Sequence, residues 1–546
     1  MRLSLLAISL HLVAATLAAQ IPDEARSASR AIQTSAIEAH MRFLADDLLE
    51  GRETGTRGYD VAARYVAAQL QAVGVAPAGD KGTWYQAVPL RKAEIVKKES
   101  SLSLKKAGEA AVTLAEDDFS LTPDYLQTST KISASVVFVG FGIAASELGY
   151  DDYAGVDVRG KIVAILSGAP STFLATTRAH YSSSFVKAET AAAHGARGII
   201  TLRPPAAEKR YPWERFVKQA RPGMRWLGTD KVPGRTVPQI QATVTLGRRA
   251  AEALFAGAPR SLDDVFKMEE GPVRPSSFPL AVEASIRITT RHSEVESMNV
   301  VGLLKGRDSA LAAETIIYTA HLDHVGLATT PVGADSINNG AMDNASGIAA
   351  LLEVARAFSA LPKATRRSIM FLAVTGEEKG LLGSDYFATF PTIARERMVG
   401  NINMDMFLML FPMRDVVVYG YDHSSMARQV DHAVRELGIK RIADPAPEET
   451  IFVRSDQYSF VRAGIPALAI GEGVDAGASK VKGADLVRAW RRDRYHQVSD
   501  DLNQPIDFGA GTSFAKLNFL IGYLAASQDK RPTWNEGDFF GTRFSK

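Results

Sequence analysis

The chain has 546 residues, which exceeds the usual size of one domain and predicts two or three packed units. Its 63 Lys and Arg residues nearly balance 61 Asp and Glu residues, so no net field favours nucleic acid or an acidic surface. The chain contains no cysteine, which excludes disulfides and a lipid-modified cysteine anchor. Stability must therefore come from the core or from a bound metal.

The N-terminus has the pattern of a secretory signal peptide. Met1 and Arg2 precede an apolar run from Leu3 to Leu17, and the small residues Ala18 and Ala19 follow it. The run is too short for a membrane anchor, and no later run approaches the roughly 20 apolar residues of a spanning helix. The sequence thus predicts cleavage after residue 19, no membrane span, and an exported protein, periplasmic or extracellular.

The next segment is predicted to be helical. Apolar residues recur at helical spacing over 35–49 and again over 59–72. Between them lies a glycine-rich loop, Glu50–Gly58. This loop follows no strand, so we interpret it as a structural turn and not as a phosphate-binding loop.

From about residue 133 the sequence predicts short strands, at 136–139, 161–165, 198–202 and 237–244, with a short helix at 187–194. Three stretches in this region, Val137–Ile143, Asp152–Val163 and Ala188–Ile200, resemble those of a protease-associated domain. Such a domain is typically inserted into a peptidase and carries no catalytic residue. The resemblance therefore implies that His180 and His194 are packing or surface residues.

After Met298, strands alternate with helices. This pattern predicts an α/β fold with a mixed, mostly parallel, doubly wound sheet that has helices on both faces. Candidate strands are 315–319, 368–374, 400–404, 416–420 and 467–471, and candidate helices are 345–361, 384–388 and 424–437. In open α/β sheets the functional site lies beyond the carboxyl ends of the strands.

A histidine and an acid follow the first of these strands. His321 and Asp323 stand two residues apart, so in extended backbone they would point to the same side. One could then bind a metal while the carboxylate supports the imidazole. His324 would point the other way and is left out of the predicted site.

Acids follow the neighbouring strands. Asp343 lies in a glycine-flanked turn before a helix, where it would suit either a bridging metal ligand or a helix N-cap. Glu377 and Glu378 follow a strongly apolar strand, which suits a proton acceptor beside a metal ligand. Asp405 lies in an apolar context, where an unpaired carboxylate would cost several kcal/mol.

His496, in Tyr495–Asp500, completes a set of two histidines and three carboxylates. Five such donors, with one carboxylate shared, suit two borderline-soft ions that each keep room for a water. Two metals of this kind activate water and polarise a carbonyl, which is hydrolytic chemistry.

Five ordered motifs resemble those of the co-catalytic di-zinc aminopeptidases, the secreted bacterial and vacuolar-type enzymes, in the form that carries a protease-associated domain. The motifs are His-Leu-Asp, Gly-Ala-x-Asp-Asn-Ala-Ser-Gly, Gly-Glu-Glu-x-Gly-Leu-Leu-Gly-Ser, Asn-x-Asp-Met and Tyr-His-x-x-Ser-Asp.

The resemblance implies two Zn²⁺ ions. One would be held by His321, Asp343 and Asp405, and the other by Asp343, Glu378 and His496. Glu377 would be the general base, and Asp323 would orient His321. A cis peptide between Asp343 and Asn344 is also implied.

The chain departs from this family at two positions. Met342 stands where a second acid is common, which lowers the local charge, and Gln457 replaces a frequent histidine. Arg454 and Tyr458 are candidate substrate residues. For Tyr458, burial in packing is an equal alternative. Phe407, in the apolar run after Asp405, would line a side-chain pocket or simply extend a buried strand.

The predicted organisation is a signal peptide (1–19), the N-terminal part of the peptidase domain (20–132), the protease-associated insertion (133–285), the catalytic domain (286–530) and an extended tail (531–546). The predicted activity is removal of N-terminal residues from peptides or proteins with a free N-terminus. A di-zinc carboxypeptidase, a single-zinc glutaminyl cyclase and a non-catalytic binding protein remain the alternatives.

Overall fold

The computed structural model describes residues 21–218, 222–269, 275–333, 335–478 and 481–545. The predicted signal peptide therefore lies outside the described residues. Within them, the helices are α1 Asp23–Ser29, α2 Thr34–Leu44, α3 Arg57–Ala72, α4 Ala175–Tyr181, α5 Ser184–Ala193, α6 Pro205–Arg210, α7 Trp213–Lys218, α8 Arg248–Phe255, α9 Leu262–Glu269, α10 Ser346–Ser359, α11 Leu382–Thr389, α12 Ala427–Leu437, α13 Gln457–Arg462, α14 Gly483–Asp493, α15 Phe508–Ser527 and α16 Phe539–Phe544. None of the helices described is long and apolar enough to span a bilayer.

The strands in the same residues form two large sheets, joined by one strand that pairs in both, and two small hairpins. They are β1 Ala76–Pro77, β2 Tyr85–Ile95, β3 Ser101–Lys106, β4 Val112–Thr113, β5 Phe119–Leu121, β6 Ser129–Phe138, β7 Ala144–Ala145, β8 Tyr150–Asp151, β9 Ile162–Leu166, β10 Gly198–Leu202, β11 Gly223–Trp226, β12 Ala242–Leu246, β13 Phe278–Leu304, β14 Thr315–His321, β15 Leu327–Val332, β16 Asp335–Ile337, β17 Ser368–Val374, β18 Met398–Asn403, β19 Asp415–Tyr419, β20 Lys440–Ile442 and β21 Ala467–Glu472.

The first sheet has parallel strands at its centre. β14 pairs in parallel with β17 on one side and β18 on the other, and β18 pairs in parallel with β21. Antiparallel strands flank this centre, with β13 beside β17 and β19 beside β21. The predicted mixed α/β sheet is confirmed, and the five strands predicted after residue 298 are all present.

Helices cover both faces of this sheet. Alternate residues of β14 point to opposite faces, so Tyr318 packs in the cluster that includes α10 and α15, whereas Ile317 packs with Phe387 of α11 and Phe460 of α13. All residues of β14 and β17 are buried, as expected for strands covered on both sides.

A second sheet combines strands of the proposed insertion with β3, β4 and β5, which precede residue 133. It contains β3 to β6, β9, β10 and β12, with its own apolar core. The 27-residue strand β13 belongs to both sheets, because its first half pairs with β3 and β6 and its second half with β2 and β17. The predicted limits of the insertion, residues 133 and 285, fall inside β6 and β13. These limits remain a prediction. The strand predicted at 237–244 begins only at Ala242.

The C-terminal tail is not a simple extended strap. It contains α16, and Phe540 of this helix is fully buried against Phe452 and Tyr458. The indole N–H of Trp534 donates to the carbonyl of Gly464 at 2.9 Å. The prediction of an extended tail is therefore wrong for 539–544, because the aromatic residues of this segment pack as a helix against an apolar surface.

Phe371 tests the importance of the central sheet. Its ring is fully buried beside Tyr318 and Phe358, with centroids 5.9 and 6.2 Å away. We expect Phe371→Ala to lower the free energy of unfolding by about 3–5 kcal/mol in urea denaturation, because it leaves a cavity. The control Leu48→Ala removes a side chain that is 87% exposed and should change it by less than about 0.5 kcal/mol. A loss below about 1 kcal/mol for Phe371→Ala would contradict this account.

Candidate metal centre

The predicted donors converge at one edge of the first sheet. β14 ends at His321, Glu378 follows β17, and Asp405 follows β18. Because these three strands are parallel neighbours, their carboxyl ends meet at the same edge. Asp343 comes from the turn before α10, and His496 from the loop after α14.

The five residues form two sets that share Asp343. His321 Nε2 lies 3.0 Å from Asp405 Oδ1 and 3.3 Å from Asp343 Oδ1. His496 Nε2 lies 3.2 Å from Asp343 Oδ2 and 3.0 Å from Glu378 Oε2. The two oxygens of Asp343 thus face different histidines. The N-cap alternative fails for Asp343, because Ala345 is the N-cap of α10 and the first-turn N–H of Gly347 donates to Asn344 Oδ1 at 3.0 Å.

His324 points into the same cluster of side chains, so the prediction from strand alternation that it points the other way is wrong. Its Nδ1 is 2.9 Å from Glu378 Oε1 and 3.8 Å from Asp343 Oδ2. The alternation of side chains holds only within a strand, and β14 ends at His321. Residues beyond that point therefore need not alternate.

Asp323 supports the site differently from the prediction. Its carboxylate lies 4.0 Å from His321 Nδ1, whereas its backbone carbonyl lies 3.0 Å from that nitrogen. The carboxylate instead accepts the backbone N–H groups of Glu377 and Glu378 at 3.1 and 3.3 Å, and the Thr54 hydroxyl at 3.1 Å. Asp323 therefore holds the loop that carries both glutamates.

Asp500 and Asn344 position the shared carboxylate. Asp500 accepts the backbone N–H groups of Met342 and Asp343 at 3.0 and 3.1 Å. The Asn344 side chain donates to the Met404 carbonyl at 3.0 Å. The expected cis peptide between Asp343 and Asn344 is present. Met342 is fully buried in the main apolar cluster.

Arg52 is a structural residue that the sequence interpretation missed. Its side chain is 1% exposed and donates to the carbonyls of Leu322 at 3.0 Å, Asn339 at 2.6 Å and Gly340 at 3.1 Å. It therefore ties the loop after β14 to the turn that contains Asp343. The predicted turn is confirmed by positive φ values at 50–52, but nothing in its pattern signals this long-range contact.

The pKa values of the site follow from burial and opposite charge. Burial alone lowers the pKa of His496, but Glu378 and Asp343 outweigh it and raise that pKa to about 10. Burial and the Asp343 carboxylate raise the pKa of Glu378, but His496 and His324 outweigh them and lower it to about 2. Burial also raises the pKa of Glu377 well above its usual value, against the opposing charge of His321.

The residues fit divalent cations. Asp343 Oδ2 and His496 Nε2 are buried and lie 3.2 Å apart, but within the described part of the chain neither makes a hydrogen bond of regular geometry. Buried carboxylates and imidazoles so close together must be compensated by protons or by a cation. Imidazole and carboxylate are the donors that zinc accepts alongside thiolate, and the chain has no thiolate to offer.

The candidate substrate residues do not join the donors. The Arg454 side chain is 52% exposed, and its Nη1 lies 3.3 Å from Glu449 Oε2. The Tyr458 hydroxyl lies 2.9 Å from His180 Nδ1 in a buried cluster. Phe407 is buried with its ring stacked on Phe514 at 4.5 Å. Packing therefore explains both aromatic residues without a substrate.

Other predicted positions are also accounted for by packing. His180 is buried, and His194 stacks on Tyr153 with ring centroids 4.1 Å apart, as expected for non-ligands. Gln457 accepts from Asn403 Nδ2 at 2.8 Å and donates to the Phe452 carbonyl. Asp456, which the sequence interpretation missed, is fully buried, and burial raises its pKa to about 7 against the charge of His321.

Comparisons with known proteins place the second half of the chain near a peptidase family. Residues 299–520 match the sequence model of Peptidase family M28. The chain is 34% identical over 161 residues to the aminopeptidase NAALADL1 of Mus musculus, which is 29% of this chain and 19% of that protein. It is 31% identical over 126 residues to the aminopeptidase YwaD of Bacillus subtilis, covering 23% of this chain and 24% of that protein. The chain thus spans about a fifth to a quarter of these relatives.

The fold also has a solved counterpart. An aminopeptidase from Aneurinibacillus sp. strain AM-1 superposes with a TM-score of 0.54 and 20% identity, over 93% of this chain and 97% of that one. At 20% identity this similarity shows a shared fold and nothing further.

Asp500 tests how the site is supported. Asp500→Asn replaces one acceptor oxygen by an N–H group that faces backbone donors, so we expect a 10- to 100-fold loss of zinc affinity, of about the size found for outer-shell partners. Competition with a chromophoric chelator measures it. The control Asp501→Asn changes a carboxylate that accepts from Asn503 and should bind zinc like the wild type. Unchanged affinity in Asp500→Asn would contradict the supporting role.

Proposed function

We propose that the chain, whose residues 299–520 match the model of Peptidase family M28, is an exported zinc-dependent aminopeptidase that removes N-terminal residues from peptides. The observation that carries the proposal is the shared Asp343, whose two oxygens lie 3.3 and 3.2 Å from the nitrogens of His321 and His496. Asp405 and Glu378 complete the two donor sets at 3.0 Å from the same nitrogens.

Two zinc ions bound by these sets would supply Lewis acidity toward the substrate carbonyl and toward the attacking water. His321, Asp343 and Asp405 would hold one, and Asp343, Glu378 and His496 the other. We favour two ions over one because the donors form two sets and not a single cluster around one histidine. A metal content near one ion per chain would instead favour the single-zinc cyclase.

Glu377 is proposed as the general base. Its backbone N–H donates to Asp323 Oδ1 at 3.1 Å, and the charges of His321, Asp405 and Glu378 act on the pKa of its carboxyl. In peptide hydrolysis the oxygen of water bonds to the scissile carbonyl carbon while the C–N bond breaks. Glu377 would accept a proton from that water and pass it to the leaving nitrogen, so the carboxylate is regenerated.

The choice of an aminopeptidase rests on relatives. The mouse and Bacillus subtilis proteins that this chain resembles are both called aminopeptidases. The same donor sets would serve a carboxypeptidase of related architecture, so substrate assays must separate the two. Export is proposed from residues 1–19 of the sequence.

A substrate panel tests the proposal. We expect hydrolysis of aminoacyl-nitroanilides with a free amine, none of the same compounds when N-acetylated, loss of activity with a chelator and recovery with zinc. Cleavage restricted to peptides with a blocked N-terminus and a free C-terminus would favour the carboxypeptidase. Cyclisation of N-terminal glutamine would favour the cyclase, and zinc-loaded protein without any turnover would favour a binding protein.

Adjacent glutamates provide a matched pair of variants. Glu377→Gln should bind two zinc ions and lose turnover by about 10²- to 10⁴-fold, because it keeps the ligands and removes the base. Glu378→Gln should lose zinc affinity as well, because it removes a ligand. Metal content by mass spectrometry and initial rates on a free-amine substrate measure both effects. Full activity of Glu377→Gln would refute its role as base.

A further inference from the structure

His324 is placed like a ligand, although it lies outside the five proposed donors. Its side chain is fully buried, and its Nδ1 lies 2.9 Å from Glu378 Oε1 and 3.8 Å from Asp343 Oδ2. Donor atoms of His324, Asp343 and Glu378 all lie within 4.8 Å of one another, as do those of His321, Asp343 and Asp405. The structure therefore offers two histidines, His324 and His496, to the second donor set.

The spacing of these atoms suits a shared ion. Donors around a tetrahedral zinc at its usual bond lengths lie about 3.4 Å apart. The distances from His324 Nδ1 to the two carboxylates, 2.9 and 3.8 Å, fall on either side of that spacing. His496 makes comparable approaches of 3.2 and 3.0 Å to the same two carboxylates.

The ring of His324 is fixed in this position. A Cβ atom on Gly340 would lie 2.6 Å from His324 Cγ, so the imidazole packs directly on the glycine backbone. Gly340 also has a φ of 61°, which glycine adopts without strain. The backbone N–H of His324 donates to the carbonyl of Arg52 at 3.2 Å. The ring cannot easily turn away from Glu378.

We propose that His324 is an additional ligand of the zinc ion held by Asp343, Glu378 and His496. The inference rests on the proposed zinc occupancy of that set. It makes the two sites unequal: the second would have four protein donors, whereas the first, with His321, Asp343 and Asp405, has three and keeps an open position. Closed four-ligand sites are typical of structural zinc and open ones of catalytic zinc.

An extra imidazole also suits the negative charge of this site. A neutral histidine adds a donor without adding negative charge to a site that already contains Asp343, Glu377 and Glu378. We therefore expect the second ion to bind more tightly than the first and to remain when mild chelation removes the first.

Another role for His324 is a hydrogen bond from Nδ1 to Glu378, which would position a ligand without being one. His324→Asn separates the two roles. The asparagine amide nitrogen can occupy a place near Nδ1 and donate to Glu378, but an amide is a poor zinc ligand. A positioning role should survive this substitution, and a ligand role should not.

Zinc K-edge X-ray absorption of the loaded, substrate-free protein is the decisive measurement. With His321, His324 and His496 as ligands, we expect three imidazoles for two ions, about 1.5 per zinc, and about 1.0 in His324→Asn. Tight-site affinity by chelator competition should fall more than about 100-fold, beyond the usual effect of an outer-shell partner. The control His432→Asn, on α12, should match the wild type in both measurements.

About 1.0 imidazole per zinc in the wild type would overturn the proposal, and so would unchanged imidazole scattering in His324→Asn. The wild-type value decides the question even if the variant fails to fold, which thermal melting of the zinc-free protein would reveal. Because no substrate is used, the outcome is independent of the aminopeptidase proposal. A protein that ligates zinc through His324 but cleaves no free-amine substrate would refute only the proposed activity.

Discussion

The site depends on burying acids beside imidazoles. Asp343 is 2% exposed, and each of its oxygens faces a different histidine. A buried carboxylate is costly unless a positive charge or hydrogen bonds compensate it. In this site the imidazoles of His321 and His496 carry raised pKa values and Glu378 a lowered one, so positive charge is held on these two histidines. Divalent cations would replace those protons, which couples metal binding to pH and to folding.

The rest of the fold holds these groups in place. The parallel pairing of β14 with β17 and β18 brings three donors to one edge of the sheet. Loops then supply the remaining donors, and buried polar side chains fix those loops: Asp500 holds the turn of Asp343, Asp323 holds the two glutamates, and Arg52 joins the loop after β14 to Gly340. Outer partners of this kind set the orientation and basicity of metal ligands.

Much of this could be predicted from the sequence. The central strands are long apolar runs, and side chains at the ends of neighbouring parallel strands meet at one edge, so the α/β sheet and the convergence of His321, Glu378 and Asp405 could be predicted. Asp343 and His496 lie in other loops, and their place in the set was implied by the resemblance of the five motifs. The long helix α15 was not singled out, because it is apolar on nearly all sides and shows no amphipathic stripe. β13 was missed because its single strand serves two sheets. Arg52 and Asp500 act through backbone contacts distant in sequence, and His324 was misplaced because alternation stops where β14 ends.

The central claim is that two metal ions share the carboxylate of Asp343. Anomalous diffraction at the zinc edge from crystals of the zinc-loaded protein measures this directly. The account predicts two anomalous peaks on opposite sides of Asp343, one beside His321 and Asp405 and the other beside Glu378 and His496. A single peak, or zinc bound elsewhere with the Asp343 carboxylate free, would contradict it.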